Sequence, residues 1–513
     1  MKTNSLDFDA QALREKILDL AMRGKLVKQD PNDEPASVLL EKIKAEKAEL
    51  VKEKKIKKSK PLTEITDDEK PFDIPDSWEW VRLGDVITTI NGDRGKNYPG
   101  KKYWQSKGVP FLNAACLSAD KYIEKDKFNY ISNDRYNLLR SGFIEKNDIL
   151  YCIRGSLGKV GIVNINKGAI ASSLIIVRPF FKEQQNIDFL YYILSSSLNI
   201  DFIKKHRNGS AQPNIPGKDL LEMIIPLPPL EEQSRIAAKI AQLFALLRKV
   251  ESSTQQYAKL QTLLKSKVLD LAMRGKLVEQ DPNDEPASVL LEKIKAEKDQ
   301  LIKEKKIKRS KPLPPISDEE KPFEIPDNWE WVRLGDVTNF VGTGMVIPAN
   351  KQFDTFTSQM LPYFKMNNIG NWDGEFGVNN WTYVLKTQNS DNYLLKSGQL
   401  LFNTRNSREL VGKTTIVPDN LNKKILANNN ILRIESFGKM KLKYINYYLI
   451  SPFSRHMFLN MTAATTNVAA IYQKQLNKLL VPLPPLEEQK RIVKKIDQLF
   501  ILLKRDKNYK KVK

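Results

Sequence analysis

Two cysteines and two histidines in 513 residues are too few for most of the chemistry that proteins stage with those side chains. Cys116 and Cys152 cannot build a disulfide framework, and with only His206 and His456 beside them no spaced zinc site can be assembled. A reducing compartment follows. No run of about 18 apolar residues occurs, and the opening MKTNSLDFDAQALREKILDL lacks the apolar stretch of a signal peptide, so a soluble, cytoplasmic chain with no membrane partner is expected. Acidic residues are also short, 61 against 83 Lys and Arg. The resulting net charge of +22 favours a polyanionic partner, although the lysines of 52–60 and 303–311 could merely be solvated helix faces. Disorder is excluded, because 41% hydrophobic residues supply ordinary cores and the length suits about three or four domains.

What the chain does have is repetition. The stretch LDLAMRGKLVKQDPNDEPASVLLEKIKAEKAELVKEKKIKKSKPL, 18–62, returns at 269–313 with five differences, Lys28 to Glu279, Ala48 to Asp299, Glu49 to Gln300, Val51 to Ile302 and Lys58 to Arg309. PFDIPDSWEWVRLGDV (71–86) returns as PFEIPDNWEWVRLGDV (322–337), and IPLPPLEEQSRIAAKIAQLF (225–244) returns as VPLPPLEEQKRIVKKIDQLF (481–500). Between these blocks lie two segments, roughly 87–224 and 338–480, that resemble each other only faintly. A scaffold built twice carries two different inserts.

Local patterns fill in the scaffold. Leu13, Ile17, Leu20 and Ala21 predict a short helix over 11–22 stopped by Gly24, and 36–57 reads as a charged helix. The first insert shows strand signals at 108–114, 148–154, 160–165 and 173–179, then helices at 187–197 and 201–206. The second follows the same order at 360–369, 399–405, 411–417 and 429–436, then a helical stretch over 444–458. From Glu231 to Met273, Ile236, Ile240, Leu243, Leu247, Val250, Thr254, Tyr257, Gln261, Leu264, Val268 and Leu271 step by four and three, a seam of about five heptads. The second copy of that unit breaks off at Lys513, and residues 1–18 could complete it. The repeat is thus circular, with its chain ends expected near one another.

IPDSWEWVRLGDV and IPDNWEWVRLGDV opening each insert, IPLPPLEEQ and VPLPPLEEQ closing it ahead of a helix, and the twice-written LDLAMRGKL together resemble the specificity (S) subunits of type I restriction-modification systems, over essentially the whole chain. The resemblance implies an α+β protein in which two mixed α/β target-recognition domains are separated by two long antiparallel, coiled-coil-like helices in a pseudo-twofold circular repeat. The expected divisions are 1–62 (N-terminal helical region), 63–225 (first recognition domain), 226–313 (central region with the long helix), 314–481 (second recognition domain) and 482–513 (C-terminal helix). It also implies a non-catalytic reader of double-stranded DNA, each domain taking one half of a bipartite, asymmetric target while the helices set the spacer. Two methyltransferase (M) subunits would bring S-adenosylmethionine, and restriction (R) subunits would bring ATP and magnesium; no cofactor is expected in this chain. The second domain departs from the first in one respect, TAATTNVA (462–469) standing where the first has NGSAQPNI (208–215).

Two enzyme-like motifs fail on inspection. FVGTG (340–344) imitates a methyltransferase glycine signature, but the Asn/Asp-Pro-Pro-aromatic motif that holds a flipped base is absent. Gly412, Lys413 and Thr414 imitate a phosphate loop whose first glycine is here Ser407. The basic and amide residues of the loops are harder to dismiss, since their donors and acceptors match base edges or phosphates. The candidates are Arg94, Lys96, Asn97, Arg154, Lys159, Arg207, Gln212 and Asn214 in the first domain. In the second they are Lys365, Asn367, Asn368, Arg405, Asn406, Arg408, Thr466 and Asn467. A plain solvated loop remains the alternative for each. For the whole chain the alternatives are a fused restriction-modification enzyme and a coiled-coil adaptor that binds protein.

Overall fold

Each tryptophan motif forms a four-residue strand that pairs antiparallel with the strand leading into PPLEEQ: Glu79–Arg82 with Ile224–Leu227, and Glu330–Arg333 with Leu480–Leu483. Pro226 and Pro482 are tolerated there because a two-stranded ribbon leaves one edge of each strand without ladder bonds to donate. The computed structural model in which this is seen describes residues 9–57, 61–118, 120–180, 186–206, 213–309, 311–378, 381–462 and 468–505. It divides into two compact units, Met1–Thr254 and Gln255–Lys513. Packing therefore groups the chain differently from the five expected divisions. In the first unit one core joins Leu18, Met22, Leu39 and Ile43 to Trp78, Ile149, Phe189, Ile236 and Ile240. The second joins Leu269, Met273, Leu290 and Ile294 to Trp329, Leu400, Tyr444, Ile492 and Ile496.

A buried carboxylate ties the corners of each unit. Glu232, fully buried at the start of the long helix Leu230–Met273, accepts from Trp78 Nε1 at 2.9 Å and Gln29 Nε2 at 2.5 Å. Glu488, at the start of the helix Leu486–Arg505, does the same with Trp329 and Gln280 at 2.9 and 2.6 Å. Beside them Arg235 is paired with Asp33 and Arg491 with Asp284, both at 2.5 Å. The repeated words QDPND, W and LEEQ are thus three parts of one joint. Gly24 and Gly275 let the chain turn into it at φ +66° and +67°, where a Cβ would come within 2.4 Å of Pro75 or 2.3 Å of Pro326.

Within each unit a terminal helix lies antiparallel to part of the long helix. Arg14, on the helix Ala10–Met22, pairs with Glu251 at 2.5 Å, whereas Asp33, further along, meets Arg235. In the second unit Gln261 Nε2 donates to the Leu503 carbonyl at 2.7 Å, whereas Gln280 meets Glu488. The heptad seam is buried only towards its ends. Ile236, Ile240 and Leu247 are buried at one end and Val268 and Leu271 half-buried at the other, but Val250, Tyr257 and Leu264 are exposed, because the partner helices described cover only the two flanks. The proximity expected of the chain ends concerns 1–8 and 506–513, outside the described residues.

The recognition domains share one topology. A four-stranded antiparallel sheet runs Ile87–Asn91, Leu174–Pro179, Ile149–Cys152, Val160–Ile162 in the first, and Thr338–Thr343, Ile431–Ser436, Leu400–Asn403, Thr414–Ile416 in the second. A three-stranded sheet beside it has the same order in both, Asn129–Ile131, Val109–Leu112, Ala169–Ile170 and Thr382–Leu385, Met360–Phe364, Leu426–Ala427. Two differences from the expected elements have local causes. The charged helix ends at Lys52 rather than at 57, because Lys54 turns to φ +58°. The helical stretch 444–458 is two helices, Leu442–Leu449 and Pro452–Met461, since a proline lacks the donor for continuation and is suited to a first turn.

Candidate nucleic-acid interface

Strand register brings the candidate loops to one end of each sheet. In the first domain Asn91 pairs with Ile175, Cys152 with Leu174 and Leu112 with Ile170, so strands leading into Arg94, Arg154 and Asn113 finish together. Arg94, Lys96, Arg154 and Lys159 are exposed there. Arg154 bridges Asn214 across the strand pair, its Nε donating to Asn214 Oδ1 at 3.1 Å. Asn97 Nδ2 reaches the Leu138 carbonyl at 2.9 Å. The loop is anchored by Asp93, a buried carboxylate that accepts from the backbone N–H of Gly95 at 2.7 Å and of Arg140 at 2.9 Å. Those donors hold its pKa below the usual 3.8. Arg207 and Gln212 lie outside the described residues.

The second domain repeats the arrangement with other residues. Thr343 pairs with Leu432, Asn403 with Ile431 and Phe364 with Ala427, delivering Arg405, Arg408 and Lys365 to the same end. Arg405 sits where Arg154 does, but its cross-strand partner is Ala470 instead of an asparagine. Lys365 Nζ reaches Gln352 Oε1 at 2.8 Å, Asn406 accepts from the Ser407 N–H, and Asn367 and Arg408 are exposed. Thr466 and Asn467 lie outside the described residues.

Asn368 is a correction. It is fully buried, its Oδ1 accepting from Lys365 N at 2.9 Å and its Nδ2 donating to the Val378 carbonyl at 3.1 Å. Both ends of the amide are committed to the turn, and its counterpart in the first domain is the buried Cys116. Burial also settles the phosphate-loop motif, since Lys413 is inside the domain with Nζ 2.9 Å from the Ile369 carbonyl and its pKa pushed down by desolvation.

Two features escaped the sequence reading. Arg140 is exposed beside the Arg94 loop, held there through its own N–H on Asp93. The turn Asn428–Asn430 joins strands from both sheets, Asn428 bonding Tyr363 Oη at 2.7 Å and Asn430 accepting from Thr404 N at 2.8 Å. Its apex, Asn429, is half-buried amid the Lys365 and Arg405 loops, and Ser172 takes its place in the first domain. Three asparagines in a row ahead of an apolar strand were the available signal.

The described residues contain no group of three or more His, Cys, Asp or Glu able to hold a metal ion, and Cys116 is inert, its thiol pushed up to about 12 by burial. What each domain offers is a fixed sheet end dressed with cations and amides. The family model for the type I restriction modification DNA specificity domain matches twice, over residues 75–261 and 326–512. The chain belongs to that family. A specificity subunit of Escherichia coli, that of the type I restriction enzyme EcoAI, is 35% identical over 96% of this chain and 89% of its own, and that of EcoEI is 31% identical over the same shares. A chain from a solved type I restriction-modification system shares the fold, with a TM-score of 0.56 at 21% identity over 85% of this chain and 93% of that one. As a specificity subunit, the chain is the sequence-recognising, non-catalytic member of its system, with DNA and the M and R subunits as its partners in general terms.

Proposed function

We propose that each recognition domain reads one half of a bipartite, asymmetric duplex target with the loops at its sheet end, and that the long helix sets the unspecified spacer. The observation that carries this is one strand skeleton presenting different side chains at equivalent places: Arg154 with Asn214 and Ser172 in one domain, Arg405 with Ala470 and Asn429 in the other. Identical frames with different donors and acceptors read different bases. The 44 residues of Leu230–Met273 extend about 66 Å at ~1.5 Å per residue, against about 34 Å per turn of duplex.

Two methyltransferase subunits dock on the helices in this reading. Leu246, Val250, Tyr257, Leu260 and Leu264 leave apolar surface exposed along the long helix, which fits a helical partner. The partners carry S-adenosylmethionine, ATP and magnesium, and the complex works in the cytoplasm, where no helix of the described residues is long and apolar enough to cross a membrane. Mapping the bases methylated when this chain is combined with its methyltransferase subunit tests the proposal. Two unlike half-sites at a fixed gap are expected; a continuous or palindromic site would overturn it.

A further inference from the structure

The most concentrated charge in the chain lies away from the reading loops. KEKKIKKSK (52–60) and KEKKIKRSK (303–311) each hold six cations and one carboxylate in nine residues. In both units the charged helix, Ala36–Lys52 or Ala287–Lys303, ends in the same knuckle. The N–H groups of Lys54 and Lys55 return to Val51 and Leu50, those of Lys305 and Lys306 to Ile302 and Leu301, and Lys54 and Lys305 turn to φ +58° and +56°. Glycine is the residue this position ordinarily favours. Lysine stands there twice. A helix C-terminus gains from one or two cations in its last turn, but the field fades beyond it, so the dipole does not account for a cluster that continues outward.

Packing turns the apolar residue inward and the cations outward. Ile56 and Ile307 pack against the two cores, whereas Lys54, Lys57, Lys305, Lys308 and Arg309 are exposed and have no carboxylate partner among the described residues. The single acid of each knuckle is used locally, Glu53 by Lys55 and Glu304 by Lys306, both at 2.8 Å. In the second unit the knuckle borders a cleft of about 500 Å³ lined by Lys298, Lys306, Lys308, Lys311, Asn339 and Asn477. Its one carboxylate, Asp336, is exposed at the surface, with a pKa raised by desolvation, an effect opposed by Lys298. Thr338 opens the edge strand at this cleft and Thr343 closes it at the reading loops, five steps or about 17 Å away at ~3.4 Å per residue.

We infer that these lysine knuckles hold the phosphate backbone of duplex DNA outside the half-sites being read. The inference rests on the proposed reading and extends it from bases to flanks. A cleft some 17 Å from the reading loops meets an anion about five base pairs along, at ~3.4 Å each. Leu313, Phe340, Val341 and Phe437 also line the cleft, but the knuckles beside it present cations outward while their own Ile56 and Ile307 pack against the cores, whereas a protein interface would centre on apolar residues. Mobile lysines on a fixed turn suit phosphates, where charge counts more than geometry.

The full chain, assembled with its methyltransferase subunits, would be compared on a duplex ending at the outer bases of the target and on the same duplex extended at both ends. The wild type should bind the extended duplex more tightly and with a steeper salt dependence. The quintuple variant K54Q/K57Q/K305Q/K308Q/R309Q should lose that advantage by about tenfold or more at moderate salt, its slope falling by about 0.9 per contact removed. The short duplex should bind as before, the methylated sequence should not change, and arginine at the same five positions should restore the advantage. No wild-type gain from flanks, or an equal loss on both duplexes, would overturn the inference. So would a variant that binds both duplexes normally yet fails to retain its methyltransferase subunits, since the knuckles would then serve an acidic protein surface. If the wild type does not prefer its target to a scrambled duplex, the reading itself has failed and takes this inference with it.

Discussion

Arg154 and Arg405 occupy one structural position with different neighbours, and the difference is testable side chain by side chain. Replacing Arg405 by Ala is expected to remove preference at one position of the second half-site, about 1–3 kcal/mol of discrimination, without altering the first. The measurement is the distribution of methylated sites, and an unaltered distribution would show that Arg405 touches only phosphate or solvent. In the first domain, Asn214→Ala should release Arg154 and relax the matching position, whereas Ala470 offers no such clamp to lose. Asp93 acts through the backbone. Because its pKa is lowered in the folded protein, its stabilisation of the Arg94 loop is complete above the ordinary value of 3.8 and is lost as the pH falls through the lower folded value. Asp93→Ala, which removes the acceptor of two N–H bonds, should weaken reading of the first half-site wherever the wild-type carboxylate is ionised, neutral pH included, and leave the second intact. Chemistry of this kind was legible as a residue type in a loop. Whether an amide was free was not: Asn367 and Asn368 are identical in sequence terms, and only the turn decides that one is exposed and the other buried.

Among the elements, the joint around Glu232 and Glu488 is the clearest case of repeated words acquiring meaning by contact. Burial raises both pKa values, so the folded state holds these protons more tightly than the unfolded chain does. Their linked stabilisation is present in full below about 4.5 and is lost as the pH rises through the raised folded values. The double variant Glu232→Gln/Glu488→Gln cannot titrate and loses one acceptor per site. It should be less stable than the wild type by about 1–3 kcal/mol per joint, with the gap widest near pH 4.5 and narrowing towards neutrality. Urea unfolding across that range checks it; a gap that widens with rising pH would mean that the carboxylates are stabilised as anions. Helix starts and strand cores were readable from periodicity. The early end of the charged helix was not, because nothing local predicts that Lys54 takes a left-handed turn while Ile56 packs against the core.

For the whole molecule, family membership and the failed catalytic motifs lead to one expectation, that the purified chain neither methylates nor cuts DNA and that methyl transfer appears only on adding the partner methyltransferase. Incorporation of labelled methyl groups by the chain alone would refute it. A second expectation follows from the circular repeat: a fragment of residues 1–280, with one recognition domain, the long helix and the N-terminal helix, should pair with itself and, with methyltransferase bound, modify an interrupted palindrome of the first half-site. A folded fragment that stays monomeric at micromolar concentration would count against helices carrying the symmetry. The sequence alone determined the duplication, the order of its parts, the family and the net positive charge, because repeats, capping residues and charge are written locally. Only the tertiary structure decided that the helical regions pack into the same cores as the recognition domains. It also decided that loops far apart in sequence meet at one sheet end, and that Asn368 and Lys413 belong to the interior. Those outcomes depend on strand register and on which side of a turn faces the core, both set by contacts between residues distant in the chain.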